Sequence, residues 1–136
     1  MKANLIVSLV ASCLVTVVAI APAASQEAPM LAIADAAVCK DVVNRAPVDP
    51  GTSFPVSVAR LFCFTRVTGA QSPTEVTHVW YHGDRERARV SLPVNTASWR
   101  TYSSKVIQGH EKGPWRVEVV DPSGKVLQAL AFEVTP

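Results

Sequence analysis

The chain has few of the residues that most protein chemistry draws on. It holds three histidines and three cysteines in 136 residues. The cysteines stand at positions 13, 39 and 63, so no Cys-x-x-Cys pair exists and a thioredoxin-type redox site is excluded by spacing. There is no Gly-x-Ser-x-Gly or Ser-x-x-Lys motif, and no Gly-rich turn leads into a helix N-terminus. A serine nucleophile would therefore lack an oxyanion hole, even though Ser103 and Lys105 fall on one face of a strand. Charge of one sign is also missing: 13 basic residues, Lys2 among them, face 11 acidic ones. Without a basic stripe to neutralise phosphates, nucleic acid is excluded as a partner class. Helix-period segments are scarce, and ten prolines argue against a helical protein.

The three histidines do not make a metal site by spacing. His78 and His82 lie four apart in one predicted strand, which separates their Cα atoms by about 13 Å. One ion cannot be held across that span, so neither a metal nor another cofactor is expected. His78 reads as a half-buried residue beside Trp80, and His82 and His110 as loop residues.

Residues 1–25 form the one long apolar run. Lys2 is the only charge before Glu27, Leu5 to Ala24 is apolar or small throughout, and the run exits through Ala21-Pro-Ala-Ala-Ser25. These are the parts of a secretory signal peptide, with cleavage expected before Ala24 or Gln26. The expected location is therefore periplasmic or secreted. The alternative is an inner-membrane anchor through residues 5–24, because about 20 apolar residues can span a bilayer. About 110 residues follow, enough for one domain and too few for two. Residues 26–37 read as a flexible lead-in with one helical turn near Met30 to Ala37, and 38–136 as the folded domain.

In an oxidising compartment Cys39 and Cys63 are expected to form a disulfide closing a loop of about 25 residues, worth about 3.5 kcal/mol in the chain-entropy view. The other reading is a pair of buried free thiols in neighbouring strands.

What is present is alternation. Arg60 to Val67 is dense in β-formers, with Leu61, Cys63 and Val67 on one face and Phe62 and Phe64 on the other. Glu75 to Tyr81 follows a loop and turns at His82-Gly-Asp84 into Arg87 to Val94. Ser98 to Ile107 is the next strand, and Gly109 to Pro114 leads into Trp115 to Val120. Asp121-Pro-Ser-Gly124 fits a type I turn, joining that strand to Lys125–Val134 as a hairpin with a bulge. With Val38 to Asn44 as the first strand, the total is about seven, with turn signals every 8 to 12 residues, the pattern of an all-β, immunoglobulin-like antiparallel β-sandwich. Trp80 and Trp115 belong to its core, and Arg60, Arg66, Arg85, Arg87 and Arg89 to solvated surface.

The segments Cys63-Phe-Thr-Arg66, Thr77-His-Val-Trp80, Trp99-Arg-Thr-Tyr-Ser-Ser-Lys105 and Gly113-Pro-Trp-Arg-Val-Glu-Val-Val-Asp121 occur in this order. Together they resemble the bacterial family catalogued as domain of unknown function 2914, over roughly Ala37 to Thr135. The resemblance implies an envelope-associated β domain and carries over no catalytic residue.

The strand Ser98 to Ile107 breaks the pattern, since neither of its faces is purely apolar. Local pattern and burial disagree there, and such disagreement tends to mark functional surface. Trp, Tyr and Arg are also the residue types enriched in binding hot spots. Trp99, Arg100, Tyr102 and Lys105, with His110 on the adjoining loop, are therefore the candidate binding residues. The competing reading places Trp99 and Tyr102 in the core and gives Arg100 a framework salt bridge. The expected function is a non-catalytic periplasmic interaction module with an envelope protein as partner. The alternative is a carbohydrate- or peptidoglycan-binding module that stacks exposed aromatics on sugar rings.

Overall fold

The computed structural model describes residues 15–19 and 30–136. Apart from residues 15–19, which have no regular structure, the expected signal peptide and its cleavage sites lie outside the described residues, as does the lead-in up to residue 29. Among the described residues no helix is long and apolar enough to cross a membrane.

Among the described residues ten strands build the domain: β1 Ala32–Cys39, β2 Asp41–Val43, β3 Ala46–Val48, β4 Ser53–Pro55, β5 Arg60–Thr68, β6 Thr74–His82, β7 Arg85–Val94, β8 Ser98–Val106, β9 Gly113–Val120 and β10 Val126–Thr135. One sheet has the order β1-β5-β8 and the other β4-β10-β9-β6-β7, while β2 and β3 pair as a separate hairpin. Without the short β2, β3 and β4, seven long strands divide three and four. In immunoglobulin lettering these are A-B-E against G-F-C-C′. The expected sandwich is thus the observed one, and β4 adds a short parallel edge beside β10.

Two expectations at the N-terminal side are corrected. Residues 32–37, read as lead-in with a helical turn, are strand, because β1 runs antiparallel to β5 from Ala32↔Thr68 to Cys39↔Phe62. Alanine favours helix locally, but the ladder offered by β5 overrides that weak preference. The run Val38 to Asn44, expected as one strand, breaks at a bend on Lys40 into the end of β1 and the start of the hairpin.

The turns behave as the side chains dictate. Gly124 (φ +89) donates its N–H to the Asp121 carbonyl at 3.0 Å. Asp121 Oδ1 accepts from the Ser123 N–H, the Ser123 hydroxyl and the Lys125 N–H. A bulge between Val126 and Gln128 follows.

The core lies between the sheets in two clusters. One gathers Val38, Phe54, Leu61, Cys63, Trp80, Ile107, Trp115, Val117, Phe132 and Val134. The other is centred on Val67, Val76, Val94 and Val119, with Leu31, Ile33 and Trp99 packed against it. Trp80 and Phe132 meet edge to face, and Trp115 stacks on Phe132 with ring centres 6.0 Å apart. Truncating either tryptophan to alanine would cost about 3–5 kcal/mol. Trp115 also makes a corner: its Nε1 donates to the Glu111 carbonyl, four residues upstream, at 2.7 Å. An immunoglobulin domain uses a tyrosine for this purpose at the start of the equivalent strand.

The expected Cys39–Cys63 bridge is not formed; both thiols are free and buried. The ladder explains why. Cys63 stands opposite Val38, and Cys39 opposite Phe62, so the two cysteines are offset by one residue. Side chains alternate along a strand, and the offset sends the thiols to opposite faces of the sheet. Cys63 joins the interior cluster, whereas Cys39 has the Val48 and Asp41 backbone of the hairpin against it. Burial raises the pKa of both thiols, which holds them in the unreactive protonated form.

Candidate functional site

β8 carries the candidate residues, and its two faces serve different ends. On the inner face Ser103 lies 2.7 Å from His78 Nδ1 and accepts the Trp80 indole N–H at 3.1 Å. The other nitrogen of His78 is 3.2 Å from the Thr65 hydroxyl. His78 and Thr65 are fully buried and Ser103 nearly so, each from a different strand. Both ring nitrogens of His78 are therefore occupied by hydroxyl partners in the sandwich interior. Burial pushes the His78 pKa down to about 4, so the ring is neutral at ordinary pH. Sequence reasoning set Ser103 beside Lys105, but Lys105 donates to the Val106 carbonyl and extends over the Trp115 ring. It makes no hydrogen bond to Ser103.

The open edge of β8 is different and draws on both faces, Trp99 and Thr101 from the face of Ser103 and Arg100 and Tyr102 from the opposite one. Trp99, Arg100 and Tyr102 come together with Arg45, Phe64, Pro93 and Thr101 around a cleft of about 180 Å³. A neighbouring cleft of about 330 Å³ shares Arg45, Trp99 and Arg100 and adds Arg66, Thr96 and Ser98. Trp99 is half-buried and packs against the second core cluster, whereas Tyr102 is 47 % exposed and tilts against Phe62. Arg100 forms no ion pair among the described residues. The three resolved ion pairs use Arg87, Arg89 and Arg116 instead. Of the five candidate residues, the structure thus gathers Trp99, Arg100 and Tyr102. Lys105 lies toward the far end of the strand, and His110 is exposed on the β8–β9 loop.

Two contributors were missed by sequence reasoning. Arg45 reaches the cleft from the β2–β3 turn and sits 5.9 Å above the Trp99 ring centre. Asn44 (φ 52) and Arg45 (φ 58) both take left-handed backbone, which makes a two-residue type I′ hairpin turn. Asn44 is the available signal for such a turn, although an arginine at the second position departs from the usual glycine. Arg66, read as solvated surface, is directly opposite Arg100 in the β5–β8 ladder. Arg87 likewise leaves that reading: its Nε donates to the buried Glu111 carboxylate at 3.1 Å. The other Glu111 oxygen accepts the Gln108 N–H, which pins the β8–β9 loop. His82, expected in a loop, closes β6, stacks on Trp115 at 4.8 Å and donates to the Lys112 carbonyl.

Fold and site together define an immunoglobulin-like β-sandwich with an arginine- and aromatic-lined sheet edge. Within it, residues 73–134 match the model of the family described as Protein of unknown function (DUF2914). The match spans β6 to β10 and bears out the resemblance over that part of the chain. Residues 37–72, to which the resemblance also extended, lie outside it. A search of curated proteins finds no match.

Proposed function

We propose that this domain is a non-catalytic recognition module of the bacterial envelope, and that it binds a protein partner through the open edge of β8. The observation that carries this reading is the cleft at Trp99, Arg100 and Tyr102, on a strand whose second edge has no neighbour in the sheet among the described residues. An aromatic surface flanked by arginines is the composition of a binding hot spot. The hydroxyl–imidazole contacts of Ser103 lie in the interior, where a substrate has no approach. The periplasmic placement rests on the leader-like residues 1–25.

A glycan-binding reading asks for two or three coplanar exposed aromatics. Trp80 and Trp115 are buried, and Tyr102 is the one exposed aromatic among the described residues, which weighs against it. The test is photo-crosslinking in cells from position 102, with position 128 on β10 as control. A discrete protein adduct from position 102 alone is expected. The absence of any protein adduct, or its replacement by a glycan adduct, would end the reading.

A further inference from the structure

The β8 edge has three properties that bear on what it binds. The first is regularity. β8 pairs with β5 without a break from Ser98↔Thr68 to Val106↔Arg60, and it holds neither proline nor bulge. Sheet edges are usually blunted by such interruptions, because an unpaired row of N–H and C=O groups is a template for another strand. This edge is nine residues long and continuous; the carbonyls at its two ends, Ser98 and Val106, accept from the Thr96 hydroxyl and the Lys105 amine, and the stretch from Trp99 to Lys105 between them is open.

The second property is uncompensated positive charge. Arg66 and Arg100 face each other directly across the ladder. Like charges in that position destabilise a sheet. Arg45 adds a third guanidinium to the same pair of clefts, and among the described residues no acidic one lines either of them. Asp35 stands opposite Arg66 on its β1 side, yet no oxygen of it comes within ion-pair distance. Three arginines without a carboxylate, gathered at one end of an open strand, mark a place where an anion would relieve repulsion.

The third is the way Arg45 is held. A left-handed backbone is uncommon for a non-glycine residue. Here it keeps the guanidinium over Trp99, at the mouth of the clefts.

We propose that the free edge of β8 accepts an extended, acidic polypeptide segment as an added strand, with its carboxylates seated on Arg45, Arg66 and Arg100. The proposal rests on the recognition-module reading and names the chemistry of the partner. Main-chain pairing supplies affinity in strand addition, and side chains on one face supply specificity. Guanidinium forks match carboxylates bidentately. In an added strand, acidic residues at every second position all project to one face, beside Arg100 and Tyr102. An amide ladder next to the arginines favours a peptide over a lipid headgroup or a free phosphate, neither of which can use it.

The test uses the chain purified as cells process it, and two synthetic nine-residue peptides. One alternates glutamate with valine and threonine; the other carries lysine in place of each glutamate. With the glutamate peptide, amide exchange should slow at alternate residues of Ser98–Val106, and binding should weaken as salt is raised. Arg45→Glu and Arg100→Glu should each lower affinity about tenfold. Arg85→Glu makes the same charge change at the other end of β7 and should leave affinity unaltered. The proposal is overturned if the two peptides bind alike, if protection arises on β4 or β7 instead, or if no β8 amide is protected at about 1 mM peptide. It is also overturned if inorganic polyphosphate competes as well as the glutamate peptide. A protein adduct at position 102 that is indifferent to Arg45→Glu and Arg100→Glu would sink the acidic strand and leave the recognition module standing; no adduct at all would remove both.

Discussion

Lowering the pH from 7 to 5 protonates His78 in the unfolded chain while the folded chain keeps it neutral. An unperturbed imidazole titrates near 6.5, and burial among Thr65, Ser103 and Trp80 takes His78 to about 4. The folded-state value is the lower one, so the unfolded state binds more protons across that window. The stabilisation is therefore complete above about pH 6.5 and is lost as pH falls toward 4. Between pH 7 and pH 5 the linkage amounts to about 2 kcal/mol, approaching about 3 kcal/mol at the acid limit. No carboxylate contacts the ring, so nothing in the fold would offset an imidazolium there. The assay is urea unfolding at half-unit pH steps, followed by tryptophan fluorescence, for the parent and for His78→Gln. Glutamine does not titrate, and its amide can still engage a hydroxyl. The variant is expected to be less stable at pH 7 and to lose less stability on acidification, so that the gap between the two proteins narrows by about 2 kcal/mol by pH 5. Because every other titrating group is common to both proteins, the difference isolates His78. Parallel stability curves would refute the reasoning, as would a nuclear magnetic resonance titration of the folded chain in which His78 protonates near its ordinary value.

Three further outcomes follow from individual contacts. Gly69→Ala should destabilise the fold by about 2 kcal/mol or more, because Gly69 has φ +88 and an added Cβ would lie 2.6 Å from the Met30 carbonyl oxygen; chemical denaturation measures it, and an unchanged midpoint would mean that Met30 is not held there. Glu111→Ala should cost about 2 kcal/mol and unpin the β8–β9 loop, since it removes the acceptor of both Arg87 and the Gln108 N–H; Glu111→Gln keeps an acceptor for the latter and should fall between the two in stability and in loop amide exchange. A thiol reagent should leave the native protein unlabelled and should add two labels to Cys39 and Cys63 once the chain is denatured without reductant; no labelling after denaturation would establish the bridge that the register disfavours.

The long strands were legible because their period is two and their termini are punctuated. Trp115, Val117 and Val119 are buried alternately with Arg116, Glu118 and Val120, as the pattern requires. Asp121 to Gly124 turns where its residue types direct. What escaped was decided by partners rather than by local pattern. β1 is rich in alanine and becomes strand only because β5 is there to pair with it. β4 is three residues ending in proline, held by a parallel contact with β10 from the opposite end of the chain. Arg45 was invisible as a site residue because its meeting with Trp99 depends on where the β2–β3 turn falls on the sheet. The disulfide expectation failed on a matter of one residue: spacing along the chain does not report which face of a strand each cysteine takes.

The mixed character of β8 has two causes, and separating them strengthens the functional reading. Its inner polar position, Ser103, is polar for an internal reason, since it satisfies both the His78 ring and the Trp80 indole. Such a satisfied network specifies register: slipping β8 by one residue against β5 would turn Ser103 outward and leave two buried nitrogens unpaired, at about 1–3 kcal/mol each. The interior thus fixes which residues β8 shows to solvent. Arg100, Tyr102, Ser104 and Val106 are forced outward as a set, and Tyr102 and Val106 are each 47 % exposed as a result. For Ser103 the break in apolar pattern is fully accounted for by packing. For Arg100 and Tyr102 packing supplies no account, because Arg100 opposes another arginine and Tyr102 leaves about half its surface in water. A recognition role is the reading that assigns both residues a purpose, and it ties the interior to the surface: His78→Gln, by loosening the register, should weaken glutamate-peptide binding although His78 never touches the peptide. Unaltered binding by a folded His78→Gln chain would show that the ladder with β5 alone holds β8 in place.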